Sequence, residues 1–308
     1  MKGYYRIMLG AQSKYADECF KGNFIGADFD IKQDLAKDLP DNWRDFNNKF
    51  IPVWQALNLG KSKIAAGLSC GALWTVSKGI KVGDIVICPN GQGLYYVGEV
   101  LDTYSYHADR ILPHRRTVKW YSVMIERISM SSELRKSTGS IGTSSDVTRY
   151  ASEIEQLIGG NKPATLFSTD DTVEDASVFA LEKHLEDFLV QNWKQTELGR
   201  DYDIYEEDGE LVGQQYQSDT GPIDILAISK DKKTILVVEL KKGRVSDNVV
   251  GQIQRYMGYV NEELAEVNQV VRGVIIGLED DLRIKRALSV TNNIEFYRYQ
   301  VSFKLFKS

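Results

Sequence analysis

The stretches Gly221-Pro222-Ile223-Asp224-Ile225-Leu226 and Val237-Val238-Glu239-Leu240-Lys241-Lys242-Gly243 decide the fold of the second half of the chain. Both are typical of buried strands that carry charged residues at one end. Side chains alternate between the two faces of a strand, so Glu239 and Lys241 share a face that Leu240 avoids. Charges on a buried face cost free energy unless they are paired or bound to a metal. If the two strands pair, Asp224 and Glu239 converge.

Two converging carboxylates predict a site of hard oxygen ligands for Mg²⁺ or Mn²⁺. The backbone carbonyl of Leu240 offers a third oxygen. A metal ion there lowers the pKa of a bound water and neutralises charge on a phosphoryl group, and Lys241 is placed to assist both effects. This minimum suffices for phosphodiester hydrolysis. The alternative is structural, with Glu239 and Lys241 as a surface ion pair and Asp224 as a turn residue.

Two helices add further candidates. Gln252 and Tyr256 are four residues apart and therefore share one helix face, from which both can bond to water, phosphate or Lys241. On an earlier helix, Glu182 and Glu186 have the same spacing. Either can complete the metal site, and we prefer Glu186.

These residues carry a family resemblance. Asp224 followed by Glu239-Leu240-Lys241 resembles the PD-(D/E)xK nuclease signature. Three blocks in order, residues 213–224, 239–243 and 251–259, look like the NucS-type endonuclease domain. The likeness spans roughly residues 176–278, about a third of the chain.

The resemblance implies roles for individual residues. Asp224 and Glu239 become the metal ligands, Lys241 the catalytic lysine, and Gln252 and Tyr256 the accessory Gln-x-x-x-Tyr pair. Pro222 stands where we expect a basic residue in this family, which leaves one phosphate contact in doubt.

Composition places the chain among ordinary globular proteins. It has 308 residues, 43% hydrophobic and 26% charged, which excludes collagenous, coiled-coil and disordered classes. Three scattered cysteines and the lack of a membrane-spanning apolar run predict a reduced, cytoplasmic protein. Residues 1–170 hold 21 Lys and Arg against 18 Asp and Glu, whereas residues 171–308 hold 17 against 25. A basic half beside an acidic half permits an anionic partner for the first.

The order of elements predicts two domains. Residues 1–160 show period-two patterns with two helices, typical of an α+β domain. Residues 161–175 are interpreted as a linker, and residues 176–308 as an α/β domain with helices covering a sheet. Within the first domain, residues 80–100 are loosely similar to the strand pair of PUA-like and EVE-like domains, which implies a small barrel.

Such a barrel suggests a pocket for a flipped, modified base, and a pocket of that kind needs aromatic walls. Our candidates are Trp74, Tyr104 and Tyr106, although core packing is the commoner role for an aromatic residue. The basic run that follows predicts a phosphate-binding loop made of Arg115, Arg116 and Lys119, with a solvated loop as the equal alternative. A zinc site using His107 and His114 is disfavoured because no further ligand pair accompanies them.

Together these patterns predict a metal-dependent DNA endonuclease whose first domain selects the target. Modification-dependent restriction is the main hypothesis. The alternatives are a NucS-like repair nuclease for mismatched, branched or single-stranded DNA, and a non-catalytic DNA-binding adaptor. A homodimer is expected if the protein makes double-strand breaks, because one site cuts one strand.

Overall fold

The computed structural model describes residues 2–139, 142–159, 185–241, 245, 248–279 and 282–299. The chain divides into two compact units, residues 1–167 and 168–308. This division lies inside the predicted linker 161–175, and the predicted domain bounds themselves stay a prediction.

The first unit is built on a seven-stranded sheet of mixed direction, in the order β2-β6-β4-β3-β1-β7, with β5 paired to β6. The central strand β6 is long enough to pair with β4 along one half and with β2 and β5 along the other. The strands of this sheet are β1 (Tyr4–Ile7), β2 (Phe24–Ala27), β3 (Ile85–Pro89), β4 (Leu94–Val100), β5 (Ser105–Tyr106), β6 (His114–Glu126) and β7 (Ser144–Asp146).

Both faces of this sheet are covered. Alternate residues of β3 enter different clusters, Val86 and Cys88 on one face and Ile85 and Ile87 on the other, as the period of a strand requires. The longer helices α2 and α3 belong to the first cluster, and α4 and α5 to the second. The helices are α1 (Ala16–Lys21), α2 (Trp43–Leu57), α3 (Lys63–Trp74), α4 (Ser132–Ser137) and α5 (Ala151–Ile158).

The second unit contains a six-stranded sheet in the order β13-β12-β11-β10-β8, with β9 paired to β10. The pair β10 and β11 is antiparallel, whereas β11, β12 and β13 are parallel. Its strands are β8 (Tyr202–Ile204), β9 (Gln214–Ser218), β10 (Gly221–Ser229), β11 (Thr234–Leu240), β12 (Val270–Gly277) and β13 (Ile294–Arg298).

Helices cover this sheet as well. One face buries Ile225, Val238 and Leu240 together with Trp193 and Leu198. On the other face α8 approaches β12 so closely that a Cβ on Gly273 would lie 2.6 Å from the Met257 sulfur. The helices are α6 (residues 185–191), α7 (Leu198–Asp201), α8 (Asn248–Tyr259) and α9 (Leu282–Leu288).

The predicted fold class, an α+β first domain and an α/β second domain, is confirmed. The likeness of the first domain to PUA and EVE domains stays a prediction. The sequence patterns did not indicate strands β2, β5, β7 and β8, each of which has four residues or fewer. Part of the helix predicted to carry Glu182 and Glu186 lies outside the described residues, and its described part forms α6. No helix among the described residues is both long and apolar enough to cross a membrane.

We expect Gly213→Ala to destabilise the second unit by about 2 kcal/mol or more. A Cβ at this position would lie 2.3 Å from the carbonyl oxygen of Leu226. That oxygen cannot move away easily, because the backbone hydrogen bond from the Leu226 N–H to the Gly213 carbonyl holds the two residues together. Urea unfolding measures the change. Gly258→Ala is the matched control, because nothing lies within 4 Å of its Cβ and alanine favours the helix. Equal loss of stability in both variants would contradict the close approach at Gly213.

Candidate active site

Asp224 and Glu239 meet where the ladder between β10 and β11 ends. The last registered pair is Ile225 with Val238, so the next residues outward, Asp224 and Glu239, stand opposite each other. The Leu240 backbone N–H donates to Asp224 Oδ2 at 2.8 Å. This bond fixes the orientation of the Asp224 carboxylate next to Glu239. The predicted convergence of Asp224 and Glu239 is therefore present.

Glu239 is buried, with a side chain only 2% exposed, and Lys241 Nζ lies 2.9 Å from its Oε1. The Lys241 side chain is 30% exposed, so its ammonium remains accessible to solvent. Its backbone N–H donates to the Ile276 carbonyl at 2.8 Å, which extends the pairing of β11 with β12 by one residue. The two charges share one face, as the period of the strand predicts. Glu239 and Lys241 therefore form an ion pair, as the structural alternative predicted. The Glu239 side of the pair is buried, so it is not a surface ion pair.

The helix α8 brings its predicted pair to the same place. Gln252 Nε2 donates to Tyr256 Oη at 3.4 Å, and Tyr256 is buried. Burial raises the pKa of Tyr256, and the negative charges of Glu239 and Asp224 raise it further. The phenol therefore stays protonated and can donate a hydrogen bond beside the two carboxylates. Its oxygen also lies 3.3 Å from the position of a Cβ on Gly221, at the start of β10.

Glu186 reaches the site from α6 and is 4% exposed. The amide of Gln214 donates to its Oε1 at 2.7 Å, and the amide of Gln215 donates to its Oε2 at 2.6 Å. Gln215 also donates to Asp224 Oδ1 at 3.2 Å. The structure thus links Glu186 to the Asp224 side of the site. Glu182 lies outside the described residues.

Gln214 and Gln215 were not predicted as functional residues. They stand in the first block of the family resemblance, but only an unusual pair of adjacent amides marks them in the sequence. Gln215 adopts a left-handed backbone conformation with φ of 52°, which no local pattern indicates.

The donor set fits a magnesium-type ion. Asp224 and Glu239 provide carboxylates, and the carbonyl of Leu240, the residue after Glu239, provides a neutral oxygen. Within the described ranges no three His, Cys, Asp or Glu side chains are grouped closely enough to hold a metal. Mg²⁺ commonly binds through one or two carboxylates and keeps several waters, so two carboxylates suit it.

Arg115 and Arg116 require a correction. The predicted phosphate-binding loop is instead the beginning of strand β6. Arg116 is 3% exposed and donates to the carbonyls of Asp102, Val76 and Ile80, which contradicts its predicted phosphate contact. Arg115 donates to the carbonyls of Leu112 and Ile111 and lies over the Phe24 ring. Their charges satisfy backbone groups of the fold. Lys119 is exposed on the same strand, and its phosphate contact stays a prediction.

The three predicted pocket aromatics do not form one pocket. Tyr104 bonds to His114 Nδ1 at 2.9 Å, and Tyr106 packs on the same imidazole with ring centroids 5.1 Å apart. Trp74 donates to the Pro40 carbonyl at 3.2 Å and packs beside Trp43. These contacts favour the core interpretation over a base-binding role. His114 is fully buried, with Nε2 2.6 Å from the Ile31 carbonyl.

We expect Arg116→Met to destabilise the first unit by about 2–4 kcal/mol, because three buried carbonyls lose their donor. Thermal and urea unfolding measure this change. Lys119→Met, on an exposed position of the same strand, should change stability by less than about 0.5 kcal/mol. A stable Arg116→Met protein with weakened DNA binding would restore the phosphate contact.

Burial lowers the pKa of His114, and the Ile31 carbonyl opposes this shift. The folded pKa therefore lies below the unfolded value of about 6.5. The stabilisation that neutral His114 gives is present above pH 6.5 and is lost as the pH falls below it. We expect His114→Gln to flatten the fall in unfolding free energy between pH 7 and pH 5. An unchanged slope in that variant would assign the acid sensitivity to other groups.

Sequence comparisons agree with the geometry of the second unit. Residues 194–302 match the family described as the endonuclease NucS C-terminal domain. Residues 5–141 match a family described only as a domain of unknown function, DUF8426. Endonuclease NucS of Methanocaldococcus jannaschii is 31% identical over 99 residues, which are 32% of this chain and 36% of that protein. The match thus spans about a third of the length of this relative.

Solved structures show a fainter likeness. A repair endonuclease from Pyrococcus abyssi is 17% identical, with a TM-score of 0.31 over 69% of this chain and 66% of that one. An EndoMS–dsDNA2 complex is 14% identical, with a TM-score of 0.32 over 70% and 68%. Because TM-scores this low do not define a common arrangement, the assignment rests on the sequence matches. The second unit of this chain carries a NucS-like nuclease domain, as its sequence motifs predicted.

Proposed function

We propose that this chain is a metal-dependent DNA endonuclease of the repair type, acting on mismatched, branched or single-stranded DNA. The observation that carries the proposal is the meeting of Asp224, Glu239 and Lys241 at one strand end, within a domain that matches the NucS C-terminal family. The substrate class follows from the NucS-type resemblance. No contact of Trp74, Tyr104 or Tyr106 supports recognition of a modified base. We therefore prefer the repair hypothesis to modification-dependent restriction.

In this proposal Asp224, Glu239 and the Leu240 carbonyl hold Mg²⁺ or Mn²⁺. The ion, when bound, supplies charge neutralisation at the phosphoryl group and activation of the attacking water. Asp224 enters the reaction already oriented, because the Leu240 N–H and the Gln215 amide each donate to one of its oxygens. Both oxygens retain lone pairs for a ligand.

Lys241 has the exposure and the position to act on the scissile phosphate. Its ammonium touches Glu239 on the buried side and reaches solvent on the other. From there it can hold the attacking water or donate to a phosphate oxygen as negative charge develops. Tyr256, kept protonated by its surroundings, offers a second donor from α8. Gln252 fixes the orientation of that phenol.

We expect Lys241→Met to lower the rate of cleavage by about 10²-fold or more, since it removes a donor that acts on developing charge. The assay uses Mg²⁺ or Mn²⁺ with mismatched, branched, single-stranded and matched DNA, and one matched duplex with modified cytosines. Glu239→Gln should abolish cleavage and retain DNA binding. Lys233→Met is the matched control, because Lys233 is exposed at the far end of the same strand, and its activity should equal that of the wild type.

Three outcomes distinguish the repair, restriction and adaptor hypotheses. Cutting restricted to mismatched, branched or single-stranded DNA supports the repair class. Cutting restricted to modified duplex would favour restriction and overturn the substrate assignment. Binding without cleavage by the wild type would make the protein an adaptor that keeps the nuclease fold. The number of strands cut also tests the homodimer, which stays a prediction, as do the ion used and the cellular location.

A further inference from the structure

One amide occupies the space between two carboxylates of the site. Gln215 Nε2 lies 2.6 Å from Glu186 Oε2 and 3.2 Å from Asp224 Oδ1, so one nitrogen donates to both acids. The second amide, from Gln214, lies 2.7 Å from the other oxygen of Glu186 and 3.4 Å from Asp187 Oδ1. A nitrogen with two N–H groups is thus placed where two negative charges approach each other.

The chain adopts an unfavourable backbone conformation at this point. Gln215 has φ of 52°, a left-handed conformation that is unfavourable for a residue other than glycine. The registers on either side, Tyr216 with Ile223 and Gln214 with Ile225, place Gln215 beside Asp224 in the ladder. The unusual backbone therefore coincides with the residue whose amide joins the two acids.

Burial makes this arrangement necessary. Glu186 is 4% exposed, so water contributes little to its solvation and its charge requires donors from the protein. Two carboxylates that approach each other are stabilised either by a cation or by hydrogen-bond donors. Here the donors are neutral amides. Both amides donate to Glu186, and the Gln215 amide also donates to Asp224, without adding positive charge.

We propose that the Gln215 amide takes the place of a second cation between Glu186 and Asp224, so that the site holds one metal ion per chain. Asp224, Glu239 and the Leu240 carbonyl would hold the single ion. Glu186 then acts as a positioning residue that holds Asp224 through Gln215 and is not itself a ligand. This inference rests on the proposed metal-dependent function and narrows it to a one-ion mechanism.

The grouping of acids agrees with this assignment. Among the described residues no set of three His, Cys, Asp or Glu side chains is grouped closely enough to hold one metal, which agrees with a site of two carboxylates. For an ion to bind between Glu186 and Asp224, the hydrogen bonds of Gln215 to both acids would have to break. The Leu240 N–H donates to the second oxygen of Asp224, which Gln215 does not contact, so this bond would remain.

Titration calorimetry with Mn²⁺ tests the proposal in the metal-free full chain. The wild type should bind one Mn²⁺ per chain. Gln215→Glu keeps the size of the side chain and replaces the neutral bridge with a third carboxylate, so it should bind two. Gln269→Glu is the matched control, because it adds the same charge outside the site, on a loop where the amide nitrogen contacts the Lys232 carbonyl and the amide oxygen accepts from the Glu266 N–H. It should bind one.

Thermal unfolding gives a second measurement. Gln215→Glu should unfold at a lower temperature than the wild type without metal, and Mn²⁺ should raise that temperature more than it does for the wild type or Gln269→Glu. If Gln215→Glu does not fold, Gln215→Ala replaces it. It removes the bridge and should also admit a second ion.

Failure of this inference is distinct from failure of the proposed function. Two ions in the wild type, or one ion in both Gln215→Glu and Gln269→Glu, would overturn the role of Gln215 and leave cleavage intact. A wild type that neither binds Mn²⁺ nor cleaves DNA would overturn the metal-dependent function. In that case a single ion taken up only by Gln215→Glu would still support the amide as a substitute for a cation.

Discussion

The hydrogen bond from the Leu240 N–H to Asp224 is the contact on which the geometry of the site depends. It forms where the backbone ladder of β10 and β11 stops, and a side-chain oxygen takes the place of a backbone acceptor. A shift of the strands by one residue would move every side chain of one strand to the opposite face. Asp224 and Glu239 would then lie on different sides of the sheet. The apolar residues that follow Asp224 and precede Glu239 hold the register in place.

Burial gives the same site its electrostatic character. Glu239 is almost fully removed from water, whereas its partner Lys241 is partly exposed. Solvent therefore reaches the ion pair only from the Lys241 side. A pair arranged in this way contributes less to stability than an apolar pair of equal size would. The chemistry proposed for the exposed Lys241 side offers a reason for a charged pair at the end of a buried strand. The neutral phenol of Tyr256 completes this side without adding charge.

The sequence allowed strands β10 and β11 and their acids to be predicted, because each depends on local alternation. Asp224, Glu239 and Lys241 follow from the period of a strand, and Gln252 with Tyr256 from the period of a helix. Gln215 could not be predicted, since its role arises from a left-handed backbone and from contacts with Glu186 and Asp224, 29 and 9 residues away. Arg116 was wrongly predicted for a comparable reason. Its three acceptors come from two separate segments, residues 76–80 and Asp102, and no local pattern shows that a charged run will be enclosed by them.

The missed Gln215 and the wrongly predicted Arg116 differ in what their polar atoms contact, and this difference indicates which unit could bind a ligand. In the first unit Arg115, Arg116 and His114 direct their polar atoms at backbone carbonyls or at Tyr104, so these groups stabilise the sheet that contains them. In the second unit the polar side chains converge on one another, with amides, acids and a lysine meeting at one end of two strands. Groups that satisfy backbone atoms have little capacity left for a ligand, whereas a cluster of side chains with oriented lone pairs does. A basic run is therefore weaker support for a DNA contact than the converging acids are for a catalytic site.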